Sequence, residues 1–263
     1  MDKDEVKKVV REKYGKIAEG VQTGCCGESA SCCCSSAEDT SVSIGYNTQD
    51  LSSVPEGANL GLGCGNPVAL ASLKHGETVL DLGSGAGLDA FLAAQKVSNT
   101  GKVIGVDMTE EMIERARKNA EKNSIKNVEF RLGEIEHLPV EDSIIDCIIS
   151  NCVINLSTDK YSVFKESFRV LKEGGRLMIS DIVLKETLPD KIRKNAEAYA
   201  GCIVGALLEK EYIAAMEEAG FKNIEIIDKT GFPLPDIVAE KLSSVEKERI
   251  KTAVISIKVK AVK

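Results

Sequence analysis

Short apolar runs alternate with longer amphipathic stretches over most of this chain. The runs TVLDL, KVIGVD, NVEFRL, SIIDCIIS and GRLMISDIV are short and rich in apolar residues, which is typical of strands. Between them the apolar residues recur at helical spacing, and we predict helices over residues 87–96, 109–123, 157–172, 188–200 and 209–219. This alternation predicts an α/β fold in which helices cover both faces of a mostly parallel sheet.

The two ends of the chain follow other patterns. Residues 2–19 place apolar side chains at intervals of three and four, which predicts a short amphipathic helix that ends near Gly20. Residues 21–59 are rich in Ser, Gly, Cys and Asn with little periodicity, which predicts a long loop or lid. Asn66 and Pro67 are the cap and the first residue of a predicted helix. The tail holds two further predicted strands, NIEIIDKT and AVISIKVKAV.

These patterns divide the chain into three segments. We expect a helix and a cysteine-rich lid over residues 1–60, a ligand-binding core over 61–220, and strands that complete the sheet, with a possible cap over the site, over 221–263. The formal net charge of −7, with both signs interspersed, argues against nucleic acid or an anionic membrane as a partner and favours a small molecule. No apolar run approaches the ~18 residues of a membrane span, and the first residues lack the apolar stretch of a signal peptide. We therefore interpret the protein as cytoplasmic, with reduced thiols.

A glycine-rich turn follows the first predicted strand in VLDLGSGAGLDAFLAA. Gly83, Gly85 and Gly87 remove side chains where backbone approaches a ligand, and the helix that follows offers free N–H groups. Asp107 ends the next strand ~20 residues later, where a carboxylate can accept both ribose hydroxyls of a nucleoside. The GSGAG run departs from the dinucleotide spacing and Asp81 precedes it, which favours S-adenosylmethionine over NAD.

Nine cysteines are an unusual number for such a chain, and five of them lie in GCCGESASCCC. Cys147 lies inside a strand and is expected to be a small buried apolar group. Cys152 lies just past the carboxyl end of the fourth strand, and Cys64 and Cys202 lie on segments that can return to the same edge. None of these three has a C-x-x-C spacing, so a structural zinc site is poorly supported. Thiolates from distant loops suit a thiophilic centre.

Six segments together resemble the arsenite methyltransferases, a group of class I S-adenosylmethionine-dependent methyltransferases. They are LGLGCGNP, DLGSGAGLDA, GVDMTEEMI, GEIEHLP, SNCVINL and YAGCIVGAL. The likeness runs from about residue 45 to about residue 220, and it implies a Rossmann-like seven-stranded sheet that ends in an antiparallel hairpin, with S-adenosylmethionine as the cofactor. By this likeness the cofactor contacts are Asp81, Gly83, Gly85 and Gly87 near the methionine part, Asp107 at the ribose, and Met108, Ile135 and Glu136 at the adenine, with Glu134 as an alternative to Glu136.

The same resemblance implies that Cys64, Cys152 and Cys202 bind trivalent arsenic, the last two as the core pair. Arsenic has a lone pair and no proton to lose, so methyl transfer requires orientation rather than a general base. This is consistent with a chain that has two histidines, His75 in a predicted turn and His137 near the adenine loop.

Methyl transfer oxidises arsenic unless electrons return to it. In the resembled family an N-terminal cysteine forms a disulfide with the residue matching Cys64, and thioredoxin or glutathione reduces it. Cys32, Cys33 or Cys34 would take that position here, and which of them pairs is open. Our hypothesis is that the whole cluster captures arsenic and relays electrons as a lid. The alternative is a disordered, thiol-rich loop that buffers soft metals.

Three other functions remain open from the sequence. The first is a methyltransferase of the same fold that acts on carbon or oxygen of a quinone or sterol, although five Tyr, six Phe and no Trp give little aromatic wall for such a substrate. The second is a non-catalytic thiol protein that sequesters arsenite or Cu(I). The third, an NAD-linked oxidoreductase, requires a different glycine spacing.

Overall fold

A computed structural model describes residues 3–21, 36–188, 203, 205–232, 249–250 and 252–263. The thiol-rich run, the predicted helix over 188–200 apart from its first residue, and Cys202 lie outside the described residues. Within them, the helices are α1 Lys3–Ala18, α2 Ala37–Ser43, α3 Thr48–Ser53, α4 Pro67–Leu70, α5 Leu88–Val97, α6 Glu110–Lys122, α7 Lys160–Val170 and α8 Glu209–Glu218. The strands are β1 Thr78–Leu82, β2 Lys102–Asp107, β3 Val128–Leu132, β4 Ile145–Asn151, β5 Leu171–Leu184, β6 Lys222–Gly231 and β7 Val254–Val262.

The strands form one seven-stranded sheet in the order β3-β2-β1-β4-β5-β7-β6. β3, β2, β1, β4 and β5 pair in parallel, whereas β7 pairs antiparallel with both β5 and β6. The predicted α/β class, the seven strands and the terminal antiparallel hairpin are therefore confirmed. The order reverses between β1 and β4, and such a switch point opens a crevice at the carboxyl ends of the strands.

Both faces of the central strands are buried, which agrees with the predicted sheet covered by helices on both faces. Leu80 and Leu82 of β1 belong to one apolar cluster with Phe164 of α7 and Tyr212 of α8. Val79, which directly precedes Leu80, belongs to a second cluster on the opposite face, together with residues of α4, α5 and α6. Successive side chains of a strand point to opposite faces, so each central strand contributes to both clusters.

One prediction about the N-terminal region is wrong in part. Residues 36–53 are not a continuous loop, because α2 and α3 form there. Each helix has a side-chain cap, since Ser36 accepts a hydrogen bond from the backbone N–H of Asp39 and Asn47 accepts one from that of Asp50. Such caps stabilise short helices in a polar sequence that shows no clear periodicity. The predicted cap at Asn66 is confirmed, because its side chain accepts from the N–H of Ala69.

Helix α1 lies over the carboxyl-end crevice. Ile17 and Ala18 pack with Ala86 and Met112 in a small apolar cluster. Arg115 of α6 donates to the carbonyl of Ala18 at 2.7 Å, which fixes the end of α1. In the described residues no helix has the length and hydrophobicity that crossing a bilayer requires.

Candidate active site

The glycine turn after β1 is required by close packing. Gly83 has a φ of +65°, and a Cβ built there would lie 2.3 Å from Cγ2 of Val153. Gly87 has a φ of +100°, and its Cβ would lie 2.6 Å from Cε2 of Phe91. Left-handed backbone without room for a methyl group leaves glycine as the residue that fits. The turn is anchored by the carbonyl of Val106, which accepts from the N–H groups of Gly83 and Ser84.

Three carboxyl groups face the crevice beside this turn. Asp107, at the end of β2, accepts hydrogen bonds from the backbone N–H groups of Gly85 and Thr109. Asp81 is 2% exposed, and its Oδ2 has no hydrogen-bond partner within the described part of the chain. Burial, then the charges of Asp89 and Asp107, raise the pKa of Asp81 well above its usual value. Burial also raises the pKa of Asp89 to about 6, against hydrogen bonds from Tyr46 and Asn151 that lower it. This cluster favours a cationic group of a ligand.

A pocket at the switch point brings most of the predicted cofactor residues together. Asp81, Gly83, Gly85, Asp107, Met108, Ile135 and Glu136 all line it. Gly87 does not; it lies at the start of α5, packed against Phe91 and Phe130.

The two acids of the GEIEHLP segment have different environments. Glu136 lines the pocket and accepts a hydrogen bond from the Ser157 hydroxyl at 2.7 Å. Glu134 is not part of the pocket lining and pairs with Lys7 and Arg11, at 2.6 and 2.5 Å, whereas Lys7 lies 3.6 Å from Glu136. The hydrogen bond from Lys7 holds the pKa of Glu134 below its usual range. The structure therefore favours Glu136 over Glu134 as the acid that faces a ligand.

Sequence reasoning missed the roof and the far wall of this pocket. Lys7, Val10 and Tyr14 of α1 line it, and so do Leu156 and Ser157 after β4. The sequence predicts that α1 has an apolar face. It does not predict which part of the protein that face packs against. Further lining residues are Leu60, Gly61, Leu62 and Gly63, from the segment that precedes Cys64.

Two of the predicted arsenic-binding cysteines lie side by side, one of them in the lining of the pocket. The sulfurs of Cys64 and Cys152 and a carboxylate oxygen of Asp181 all lie within 4.8 Å of one another. Cys152 lines the pocket. It follows β4 directly and has a φ of +59°, a conformation that non-glycine residues rarely adopt and that concentrates at functional sites.

Asn151 connects this thiol pair to the cofactor end of the pocket. Its Oδ1 accepts from the backbone N–H of Cys64 at 3.0 Å. Its Nδ2 lies within hydrogen-bonding distance of the Tyr46 hydroxyl at 2.9 Å, the Gly65 carbonyl at 2.8 Å and the Asp89 carboxylate at 3.1 Å. The position of Cys64 is thus tied to a carboxyl group beside the glycine turn.

A buried acid stands behind the two thiols. Asp181 is fully buried in β5. It accepts hydrogen bonds from Asn155 at 2.8 Å, from the backbone N–H of Ile182 at 2.9 Å and from the Tyr212 hydroxyl at 3.1 Å. Burial raises the pKa of Asp181 to about 7, although the hydrogen bond from Ile182 opposes the shift. Sequence analysis missed Asp181, because one acid inside an apolar strand gives no sign of its neighbours.

The remaining predicted residues differ in burial. Cys147 is fully buried, and burial raises the pKa of its thiol to about 12, so it is a structural residue as predicted. His75 lies in an exposed turn and His137 is exposed beside Glu136. Cys202 and Cys32, Cys33 and Cys34 lie outside the described residues.

Comparison with known proteins identifies the family. Residues 73–220 match the family model described as a methyltransferase domain. The chain is 50% identical over 236 residues to an arsenite methyltransferase of Halobacterium salinarum, a match covering 87% of this chain and 60% of that protein. An arsenite methyltransferase of Aquipseudomonas alcaligenes is 37% identical over 242 residues, which cover 89% of this chain and 67% of the relative.

A solved structure of an arsenic methyltransferase is similar to this chain as well. The crystal structure of CrArsM, an arsenic (III) S-adenosylmethionine methyltransferase from Chlamydomonas reinhardtii, superposes with a TM-score of 0.67 at 31% identity, covering 88% of this chain and 75% of that one. The chain spans about 60% of the length of its relative from Halobacterium salinarum. The fold, the glycine turn with its acids and these similarities establish that the chain belongs to the arsenite methyltransferase family of S-adenosylmethionine-dependent methyltransferases.

Proposed function

We propose that this protein transfers methyl groups from S-adenosylmethionine to trivalent arsenic held by Cys64, Cys152 and Cys202. The observation that carries the proposal is the convergence of the Cys64 and Cys152 sulfurs, within 4.8 Å of each other, at the end of a pocket lined by the glycine turn. Such a pair of thiols is a ligand for a thiophilic centre. Family membership supports the same substrate.

The donor set of the pocket fits S-adenosylmethionine. Asp81 Oδ2 is a buried acceptor without a hydrogen-bond partner among the described residues, and the ammonium group of the cofactor supplies a donor for it. Asp107 would accept from the ribose hydroxyls of the bound cofactor, and Glu136 and Met108 would contact its adenine. Gly85 has a φ of +51°, and a Cβ there would meet no atom closer than the Met112 sulfur at 3.9 Å, so backbone is open to the ligand.

The protein contributes orientation and exclusion of water. When bound, S-adenosylmethionine supplies a methyl group on a positively charged sulfur. Cys64 and Cys152 hold arsenic with its lone pair toward the pocket, and the backbone bonds that fix both cysteines keep that direction constant. Val6 and Val10 of α1 pack in one apolar cluster with the two cysteines and keep water from the sulfurs. Proximity and orientation of this kind account for large rate enhancements without a general base.

The arsenic loses two electrons to the new carbon bond, and thiols can return them by forming a disulfide. We assign this role to one of Cys32, Cys33 and Cys34 together with Cys64. Reduction of that disulfide by thioredoxin or glutathione completes the cycle. In this proposal the helix and cysteine-rich lid over residues 1–60 supply the thiols that return electrons. The core over 61–220 binds the cofactor, and the C-terminal strands over 221–263 complete the sheet.

Mass detection of methylated arsenic tests the proposal. Purified protein is incubated with arsenite, S-adenosylmethionine and a thiol reductant, alongside Cys152→Ser, Cys202→Ser and, as a matched control, Cys147→Ser. We expect methylarsenic products from the parent and the control, and roughly a 100-fold loss or more in the other two variants, because the reacting atom is no longer held in place. S-adenosylmethionine binding should be unchanged in all of them.

Two results would contradict the proposal. A parent protein that binds both ligands and makes no product would favour sequestration of arsenic. A parent that binds the cofactor and not arsenite would favour a methyltransferase of carbon or oxygen.

A further inference from the structure

The cluster of Cys64, Cys152 and Asp181 contains a carboxylate, for which the proposed binding of arsenic by sulfur has no role. Trivalent arsenic is bound by sulfur, yet among the described residues, which do not include Cys202, the third ligand atom near the two sulfurs is a carboxylate oxygen. All three residues are buried, with exposed fractions of 5%, 6% and 0%. The positive charge of Lys160 already acts on this buried carboxylate, and a bound cation would bring a second positive charge beside it.

We propose that Cys64, Cys152 and Asp181 form a binding site for a divalent cation of borderline softness, such as zinc, and that this cation competes with arsenite for the two sulfurs. The cation site stands on the geometry alone, whereas the competition rests on the proposed function. It would make methylation sensitive to free zinc.

The donor set discriminates between classes of cation. Zinc is bound by thiolate sulfur and carboxylate oxygen in tetrahedral sites, whereas calcium and magnesium require oxygen ligands throughout. Bond lengths of about 2.3 Å to sulfur and about 2.1 Å to oxygen place neighbouring tetrahedral ligand atoms roughly 3.6–3.8 Å apart. The present separations, at most 4.8 Å, therefore need a closure of about 1.2 Å or less, which small side-chain rotations provide.

The carboxylate is already oriented for such a role. Asp181 Oδ1 accepts from Asn155 and from the N–H of Ile182, while Oδ2 accepts from the Tyr212 hydroxyl at 3.1 Å. Hydrogen bonds that orient a ligating carboxylate are typical of metal sites. Each oxygen has two lone pairs, so Oδ2 keeps one for a cation.

Access to the site comes through the pocket. Cys152 lines the pocket, and Cys64 lies behind it, so a cation that enters beside the glycine turn reaches the sulfurs directly. The open end provides the fourth ligand, a water molecule. Three protein ligands and one open position are the arrangement of an exchangeable zinc site rather than a closed structural one.

Cobalt(II) is the spectroscopic probe, because thiolate ligation gives charge-transfer absorption in the near ultraviolet. All samples carry Cys25→Ser, Cys26→Ser, Cys32→Ser, Cys33→Ser and Cys34→Ser, so that the N-terminal thiols do not contribute. The arms are this background, Asp181→Asn, Cys152→Ser, and Cys147→Ala as a matched control at a buried cysteine outside the cluster. Each arm is also tested for S-adenosylmethionine binding and for thermal unfolding, to establish that it folds.

We expect one equivalent of cobalt to bind to the background and to the Cys147→Ala control, with thiolate absorption that zinc removes by displacement. Cys152→Ser should lose the absorption. Asp181→Asn should weaken cobalt and zinc binding by about tenfold or more while arsenite affinity changes less than about threefold, since tenfold corresponds to about 1.4 kcal/mol. Arsenite should release cobalt one for one.

Equal cobalt affinity in Asp181→Asn and the background, or no thiolate absorption in the background, would overturn the proposal. Bound cobalt that arsenite does not release would refute the competition. The two proposals fail separately: cobalt binding without methylated arsenic retains the cation site and removes the methylation, and methylated arsenic without cobalt binding does the reverse.

Discussion

The two ends of the pocket are built in different ways. The cofactor end is the turn Gly83–Gly87 with Asp81 and Asp107, drawn from two consecutive strands. The thiol end is Cys64, Cys152 and Asp181, which come from the segment before α4, the end of β4 and the middle of β5. The first is a local motif with a spacing, whereas the second exists only when the sheet has formed. The two ends are nevertheless coupled, through Val153 above Gly83 and through Asn151.

The strongest test of this coupling is Gly83→Ala. Its Cβ would lie 2.3 Å from Val153, next to Cys152, and the backbone there is left-handed. Strain and overpacking together cost about 2–4 kcal/mol, and we expect both S-adenosylmethionine and arsenite affinities to fall, by about 30-fold or more if most of the cost appears in binding. Calorimetric titration of each ligand measures the two losses.

Two matched variants sharpen that result. Gly87→Ala collides with Phe91 and Phe130 on the other side of the turn, so it should weaken the cofactor and leave arsenite binding intact. Gly174→Ala has a comparable φ of +74° in open space and should change neither. Equal losses of arsenite affinity in the Gly83 and Gly87 variants would contradict the proposed route through Val153.

A pH series tests the carboxyl cluster at the cofactor end. Burial raises the pKa of Asp89 from 3.8 to about 6, so its contribution to stability is present below pH 3.8 and is lost as pH rises through 6. We expect Asp89 to lower the free energy of unfolding by about 3 kcal/mol over this interval. Urea unfolding at successive pH values should show this slope in the parent and a flatter one in Asp89→Asn.

Glu129 provides the opposite case. Hydrogen bonds from Arg131 and Lys102 lower the pKa of Glu129 from 4.5 to about 2, so its contribution is present above pH 4.5 and is lost as pH falls through 2. Glu129→Gln should therefore alter the profile at acidic pH and leave the slope between pH 4.5 and 6 unchanged. A flat parent profile in that upper interval would show that Asp89 is not buried as described.

Asn151→Asp tests the second connection between the ends. It replaces an amide donor that faces the Asp89 carboxylate, the Tyr46 hydroxyl and the Gly65 carbonyl by another carboxylate. We expect a loss of about 2 kcal/mol in unfolding free energy and weaker binding of both ligands, because a buried donor is lost and like charges meet.

Asn127→Asp is the control for that variant. The Asn127 amide donates to the carbonyls of Ala94 and Ser98, away from the pocket. It should lose similar stability and keep both ligand affinities. Arsenite affinity that survives in Asn151→Asp would show that the amide does not hold Cys64 in position.

The smallest effect on ligand affinity is expected from the ion pair that holds α1 over the pocket. Lys7 is 19% exposed and pairs with Glu134 at 2.6 Å, which holds α1 over the pocket. Lys7→Ala should weaken S-adenosylmethionine by about two- to fivefold and make its affinity less sensitive to salt, because partly exposed ion pairs contribute about 1 kcal/mol or less. Lys8→Ala, at a lysine 77% exposed on the same helix, should bind the cofactor normally.

Local patterns in the sequence account for much of the fold. The strands, the capped helix at Asn66 and the glycine turn were all predicted, because each depends on hydrophobic periodicity, capping or spacing over a few residues. The helices α2 and α3 were missed, because their caps at Ser36 and Asn47 act in segments too short to show a period. The roof provided by α1 could not be predicted either, since an amphipathic face does not specify what it covers.

The sequence by itself determined the class of fold and the cofactor motif, and its resemblance to a known family predicted which thiols bind arsenic. Tertiary structure alone decided that Asp181 lies beside those thiols and that Asn151 connects them to Asp89. It also decided that Glu136 lines the pocket, whereas Glu134 does not and forms the shorter ion pair with Lys7. The physical reason is the separation along the chain of the residues that interact. Turns and strands are set by neighbours along the chain, whereas the surroundings of a buried polar group are set by residues that only the folded sheet brings within contact.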